Sequence, residues 1–158
     1  MKRSLMIGVL VLAMMASVIG MASAHGNVFV GVHSNGTGSD LVPFVAAEFQ
    51  VSEELAIIPR YYVDEVYGVR VRYGVGTGGY GSVVFDANGV ENWRVGAFFE
   101  HMLSERLATR VNIGLIGFPD GDVVPDADLD FKYSLSGPWS LKGLVSYGIV
   151  QAAVGFDF

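Results

Sequence analysis

Three groups of side chains in this sequence have the types and spacing to do chemistry. The first is Asp126-Ala127-Asp128-Leu129-Asp130, three carboxylates at alternate positions, which invites a calcium reading because hard cations take carboxylate oxygens. In an extended chain such carboxylates stand about 6.6 Å apart along a line, a geometry better suited to pairing with basic neighbours than to enclosing one ion. The second is His33-Ser34, an imidazole next to a hydroxyl. Adjacent strand residues point to opposite faces, so the two do not converge on one substrate atom. His25, His33 and His101 are too scattered for a metal motif, and the chain has no Cys, so no metal and no cofactor is expected. The third group is the largest: Arg60, Arg70, Arg72, Arg94, Arg110, Lys132 and Lys142 with Glu48, Glu100, Asp126, Asp128, Asp130 and Asp157, all inside alternating segments. Their chemistry is ion pairing.

The elements that must position these charges follow from composition. Of 158 residues, 51% are hydrophobic and 16% charged, with a formal net charge of -6. That is too apolar for a disordered chain and too acidic for a nucleic-acid binder, and without Cys it is no disulfide scaffold. Residues 1–24 read as an export signal. Lys2 and Arg3 form a positive start, Leu5 to Met21 is uncharged and apolar, and Ala22-Ser23-Ala24 offers small residues, Ala22 and Ala24, for cleavage before His25. The signal takes two of the ten basic residues, leaving eight against sixteen acidic ones in a single domain over 25–158.

Within 25–158 the hydrophobic period is two almost throughout, which predicts strands rather than helices. Ten are expected, near 27–34, 41–51, 55–63, 67–75, 79–87, 92–103, 107–117, 126–135, 139–147 and 150–158, with eight as the alternative count. Turn chemistry separates them at Gly76-Thr77-Gly78, Asn88-Gly89, Pro119-Asp120-Gly121 and Gly137-Pro138, among others. Parity is clearest over 126–135, where Ala127, Leu129, Phe131, Tyr133 and Leu135 alternate with charged or polar residues. Strand 79–87 has no clean parity. Pro43 and Pro59 fall inside expected strands, and each calls for a bulge or a strand end because proline donates no ladder hydrogen bond.

Alternation alone also fits a soluble barrel of lipocalin type, with the apolar set inside and an apolar ligand bound. Two features favour an apolar face that meets lipid. Trp93, Trp139, Tyr67, Tyr73, Tyr133 and Tyr147 stand near the ends of the apolar faces, as interfacial girdles do. The connections are also short, about two to eight residues. The chain closes on an alternating strand whose end, Val154-Gly155-Phe156-Asp157-Phe158, resembles the carboxy-terminal signature of bacterial outer-membrane β-barrels. On those residues the chain resembles small outer-membrane barrels of the OmpA/OmpX type. The resemblance implies an up-and-down transmembrane barrel in a bacterial outer membrane, contacts with lipid and lipopolysaccharide, and reading of Val154, Phe156 and Phe158 by the barrel assembly machinery. The family's long outer loops are missing here. His33-Ser34-Asn35-Gly36 also loosely resembles a stretch of lipid A deacylase barrels, but its adjacent His and Ser depart from that family's spacing.

A repeated turn sets the hairpin register. Val51-Ser52-Glu53-Glu54-Leu55, Leu103-Ser104-Glu105-Arg106-Leu107 and Leu135-Ser136-Gly137-Pro138-Trp139 share a hydrophobic residue, Ser, two variable residues and a hydrophobic one. Strand counting puts these turns and the C-terminus at one end, expected to be periplasmic. The other end holds Asp40, Asp64, Glu65, Asp86, Glu91, Asp120 and Asp122, a solvated acidic rim or a divalent-cation surface near lipopolysaccharide. The expectation is a monomeric, non-enzymatic envelope barrel that binds no nucleic acid and whose paired lumen charges plug it. The alternatives are a narrow pore for small solutes, the lipocalin-like binder and a lipid A-modifying enzyme.

Overall fold

The computed structural model describes residues 25–35, 41–63, 65–146 and 149–158. The expected export segment 1–24, with Ala22 and Ala24, lies outside them, as do Asp40, Asp64 and Tyr147. Ten strands form: β1 (Gly26–Asn35), β2 (Leu41–Gln50), β3 (Leu55–Tyr62), β4 (Val66–Val75), β5 (Thr77–Asp86), β6 (Gly89–Ser104), β7 (Leu107–Gly117), β8 (Val123–Ser134), β9 (Trp139–Ser146) and β10 (Ile149–Asp157). Each pairs antiparallel with its sequence neighbours, and β1 pairs with β10 from Asn27↔Asp157 to Asn35↔Ile149, closing the barrel. The count is ten, not eight. Closure leaves no unpaired edge, so every strand has a ladder on both sides.

The expected turns are tighter in places. Gly76 alone joins β4 to β5, at a φ of 69° that suits glycine, while Thr77 and Gly78 already belong to β5. Two of the three repeated turns share a lock. The Ser52 hydroxyl accepts the amides of Glu54 (3.3 Å) and Leu55 (3.1 Å), and the Ser104 hydroxyl accepts those of Arg106 (3.3 Å) and Leu107 (3.1 Å).

The prolines are accommodated differently from one another. The carbonyl of Pro43 accepts the amide of Val63, one residue beyond the end of β3, so the missing donor of Pro43 falls where that ladder stops. Pro59 has neither a bulge nor a strand end. The β2–β3 register passes from Ala46↔Arg60 to Phe49↔Ile57 without a shift, and the positions between them, Pro59 included, make no pair with β2. The bulges lie elsewhere, at Val84/Phe85 and at Met102/Ser104.

Strand parity decides what the barrel shows to its surroundings. On β7 and β8, Val111, Ile113, Leu115, Leu129 and Phe131 point outward and are exposed, while Arg110, Asn112, Asp126, Asp128 and Asp130 point inward. This is the opposite polarity to a lipocalin-like barrel, whose apolar residues would be inside. β5 has a parity after all: its register sets Tyr80, Ser82 and Val84 opposite Arg72, Arg70 and Gly68 on the inner face, with Gly79 and Gly81 on the outer one. On the outside, Tyr61, Tyr67 and Phe85 form a row across β3, β4 and β5, with ring centroids 5.2 and 5.6 Å apart. At the opposite end Trp139 packs edge-on against Phe156 at 5.2 Å. On β9 the Phe131 ring covers Gly143 so closely that a Cβ there would lie 2.0 Å from it.

Candidate functional site

The chemistry-bearing residues converge in the lumen, because each has the parity opposite to an outward apolar neighbour. All thirteen charged residues singled out from the sequence lie on the inner face. Along β6, β7 and β8 they form rungs: Glu100 pairs with Arg110 and Arg110 with Asp130, one level from Phe98↔Asn112 and Asn112↔Asp128. Arg110 donates twice to one carboxylate oxygen of Glu100, through Nε at 2.9 Å and Nη2 at 2.5 Å, and its Nη1 lies 3.8 Å from Asp130. Arg94 Nη1 donates to Asp126 at 3.1 Å.

Other pairs cross the lumen rather than follow a ladder. Arg70 on β4 reaches Asp128 on β8 at 3.5 Å, and Arg72 on β4 reaches Glu48 on β2 at 2.6 Å. Lys142 on β9 stands 3.6 Å from the other oxygen of Glu48, and Lys132 on β8 donates to Asp157 on β10 at 2.7 Å. The deepest members are Arg70, 6% exposed, and Asp128, 3% exposed. Removing such charges from water costs several kcal/mol apiece, roughly offset only where each meets its opposite and its remaining valences are filled. Asn112, 1% exposed, fills them here by donating to both Asp128 and Asp130. Cations also rest on rings: Arg70 on Tyr80 at 5.0 Å, Arg72 on Phe98 at 5.5 Å, and Lys142 on Phe29 at 4.1 Å.

Sequence reasoning missed part of this interior. Asn112 and Asn27, which donates to Asp157, are members of the network that carry no charge. The lumen also has an apolar wall, a buried cluster of Phe29, Phe44, Ala46, Ile58 and Ala153 packed with Tyr62, from β1, β2, β3 and β10. The lumen is therefore charged on one side and apolar on the other. The available signal was that β1 and β2 carry large apolar residues at both parities: Phe29 beside Val28 and Val30, Phe44 beside Val45.

Two cavities lie along the axis. One, of about 340 Å³, is at the end that holds His25 and Phe158 and is lined by Glu48, Arg72, Arg110, Lys142 and Asp157 among others. The second, of about 280 Å³, is at the opposite end, with His33, Tyr62, Asn92 and Arg94. Arg60, Arg70, Leu144 and Gln151 border both, so they form the partition between the two.

The weaker motifs separate in space. His33 faces the lumen, edge-on to Tyr62 at 4.8 Å, whereas Ser34 pairs with Leu41 and Val150 on the outer face. At the acidic end, Asp86 accepts the amides of Asn88 and Gly89, and Asp120 accepts that of Asp122, so these carboxylates close turns. Among the described residues no group of three His, Cys, Asp or Glu side chains is placed to hold a metal ion. Val154 and Phe156 are exposed on the outer face of β10, and Phe158, one residue past its end, is exposed as well.

No family model matches the chain, and no curated protein matches it by sequence. Among solved structures it is similar to a chain described as "De novo design of transmembrane beta-barrels", at 16% identity over 85% of this chain and 96% of that one, with a TM-score of 0.47. It is also similar to the de novo designed TMB2.3 solved by solution NMR, at 14% identity over 85% and 95% of the two chains, with a TM-score of 0.44.

Proposed function

We propose that the chain is an integral barrel of a bacterial outer membrane, exported by its N-terminal segment, whose lumen network ties the walls together and plugs the interior. The observation that carries this reading is the polarity of the barrel. Side chains such as Ile113 (55% exposed) and Val95 (50%) point away from it, while Arg70 and Asp128 are enclosed. In water an exposed apolar face of this kind is an aggregation surface; in lipid it is the required outer face. Strand length agrees: ten residues at about 3.3 Å, tilted about 40°, rise roughly 25 Å, the height of an apolar band. Trp139, Phe156, Tyr73 and Tyr133 at one end and Tyr61, Tyr67, Phe85 and Trp93 toward the other supply two aromatic belts.

The role is structural rather than enzymatic. His33 and Ser34 stand on opposite faces, and the lumen carboxylates are engaged by cations or amides. The partners are outer-membrane lipid, lipopolysaccharide at the acidic end, and the assembly machinery that reads Val154, Phe156 and Phe158; the barrel works as a monomer. Its test is gel mobility of the detergent-refolded protein before and after boiling, with sodium carbonate extraction of the membrane fraction. Faster migration before boiling and carbonate resistance are expected. A buffer-soluble monomer with one mobility overturns the reading.

The two axial cavities favour one second reading, a narrow pore in which the Arg60, Arg70, Leu144 and Gln151 partition opens. Planar-bilayer recording separates the two: a plugged barrel is silent, and reproducible unitary steps identify the pore.

A further inference from the structure

The cavity at the end of His25 and Phe158 has a charge imbalance that the ion pairs do not consume. Six cationic side chains and four carboxylates line it. Six of the seven lumen cations have a carboxylate within 4.0 Å; among the described residues, Arg60 does not. Its Nε is buried and has no hydrogen-bond partner; Tyr62 stands at its side, and Asp130 and Asp128 attract it from beyond ion-pair distance. Arg72 lines the same cavity, but Glu48 already holds its Nη2, and its buried Nη1 has no partner. A buried donor of this kind is destabilising unless an acceptor reaches it. The neighbours of Arg60 across the ladders are Ala46 and Gly68, small residues that leave room around its stem.

The rest of the cavity is of a different kind. Phe29, Phe44, Ile58, Leu144 and Ala153 line it opposite the cations. An apolar wall, a few convergent charged donors and a volume of about 340 Å³ are the anatomy of a small-molecule site. A bare inorganic anion uses the donors and leaves the wall idle; a neutral hydrocarbon does the reverse.

We propose that this cavity binds a small amphipathic monocarboxylate, its carboxylate on the Arg60 guanidinium and its hydrocarbon part on Phe29, Phe44, Ile58 and Leu144. The site deepens the barrel reading by giving the lumen an occupant, and it rests on that reading.

The test is a titration of hexanoate into the full mature chain refolded in maltoside micelles, following the Ile58 and Leu144 methyl resonances by NMR. Hexanol and inorganic phosphate serve as comparators. Hexanoate is expected to shift both residues saturably and the comparators are not. Arg60→Gln should weaken the apparent affinity about tenfold or more, the loss of one charge-assisted contact, and Arg60→Lys should restore part of it. An equal response to hexanol removes the anion site, an equal response to phosphate removes the apolar part, and shifts that do not saturate overturn the proposal outright. The wild-type comparators decide the matter even where a variant fails to refold. Boiled and unboiled gel mobility of the same sample reports the barrel itself, so loss of the fold is read separately from loss of the site.

Discussion

Asp128 is the residue on which most of the lumen converges. It accepts from Asn112, takes Arg70 at 3.5 Å and has Arg94 at 3.9 Å. Asp128→Ala takes from the buried Arg70 its nearer carboxylate and from Asn112 an acceptor, while Arg94 keeps Asp126, and breaking such a buried pair costs about 3–5 kcal/mol. Urea unfolding of the barrel in lipid vesicles should show that loss, whereas Glu105→Gln, at an exposed turn, should stay within about 0.5 kcal/mol. Equal losses would mean the network adds nothing to stability. The charged members of this site were legible because one-sided alternation marks them: Asp126, Asp128 and Asp130 interleave with Ala127, Leu129 and Phe131. Asn112 was not, since an uncharged amide has the same period as any other inward residue. Arg60 was legible as a lumen cation but not as an unpaired one, because pairing across a barrel depends on stagger that spacing along the chain does not encode.

At the level of elements, the serine turns and the closing seam carry the predictions. Ser52→Ala and Ser104→Ala each remove a hydroxyl that holds two turn amides, and each should lower the unfolding free energy by about 1 kcal/mol, additively because the turns are separate. On the seam, a Cβ at Gly31 would lie 2.1 Å from the Ala152 carbonyl oxygen and 2.6 Å from the Ala153 Cβ. Gly31→Val should therefore separate β1 from β10 and abolish the fast-migrating unboiled band, while Gly76→Ala, with open space around it, should lose only the backbone preference of its turn, about 1 kcal/mol. Ten strands were legible because turn residues punctuate a period-two pattern. The parity of β5 was hidden because Gly79 and Gly81 on its outer face have no side chain to reveal it. The apolar lumen wall was hidden for the converse reason, since β1 and β2 are apolar on both faces and the pattern names no inside.

For the whole molecule, closure and polarity are one fact: a ten-stranded barrel small enough for side chains to fill has charges tied across its interior and apolar residues left on its exterior. A lipid-facing exterior predicts that Leu129→Arg, near the middle of β8, costs about 2–4 kcal/mol in a bilayer, which urea titration of vesicle-embedded protein would record. In water the same change at an exposed position would be nearly neutral. Because the natural chain has no Cys, single cysteines report their surroundings without background. The most direct measurement is therefore nitroxide accessibility at Val95→Cys, Ile113→Cys and Leu129→Cys in lipid vesicles. All three labels should relax with oxygen and be shielded from a water-soluble nickel complex, as labels within hydrocarbon are. Labels that collide freely with the nickel complex would place these faces in water and contradict the membrane-spanning account.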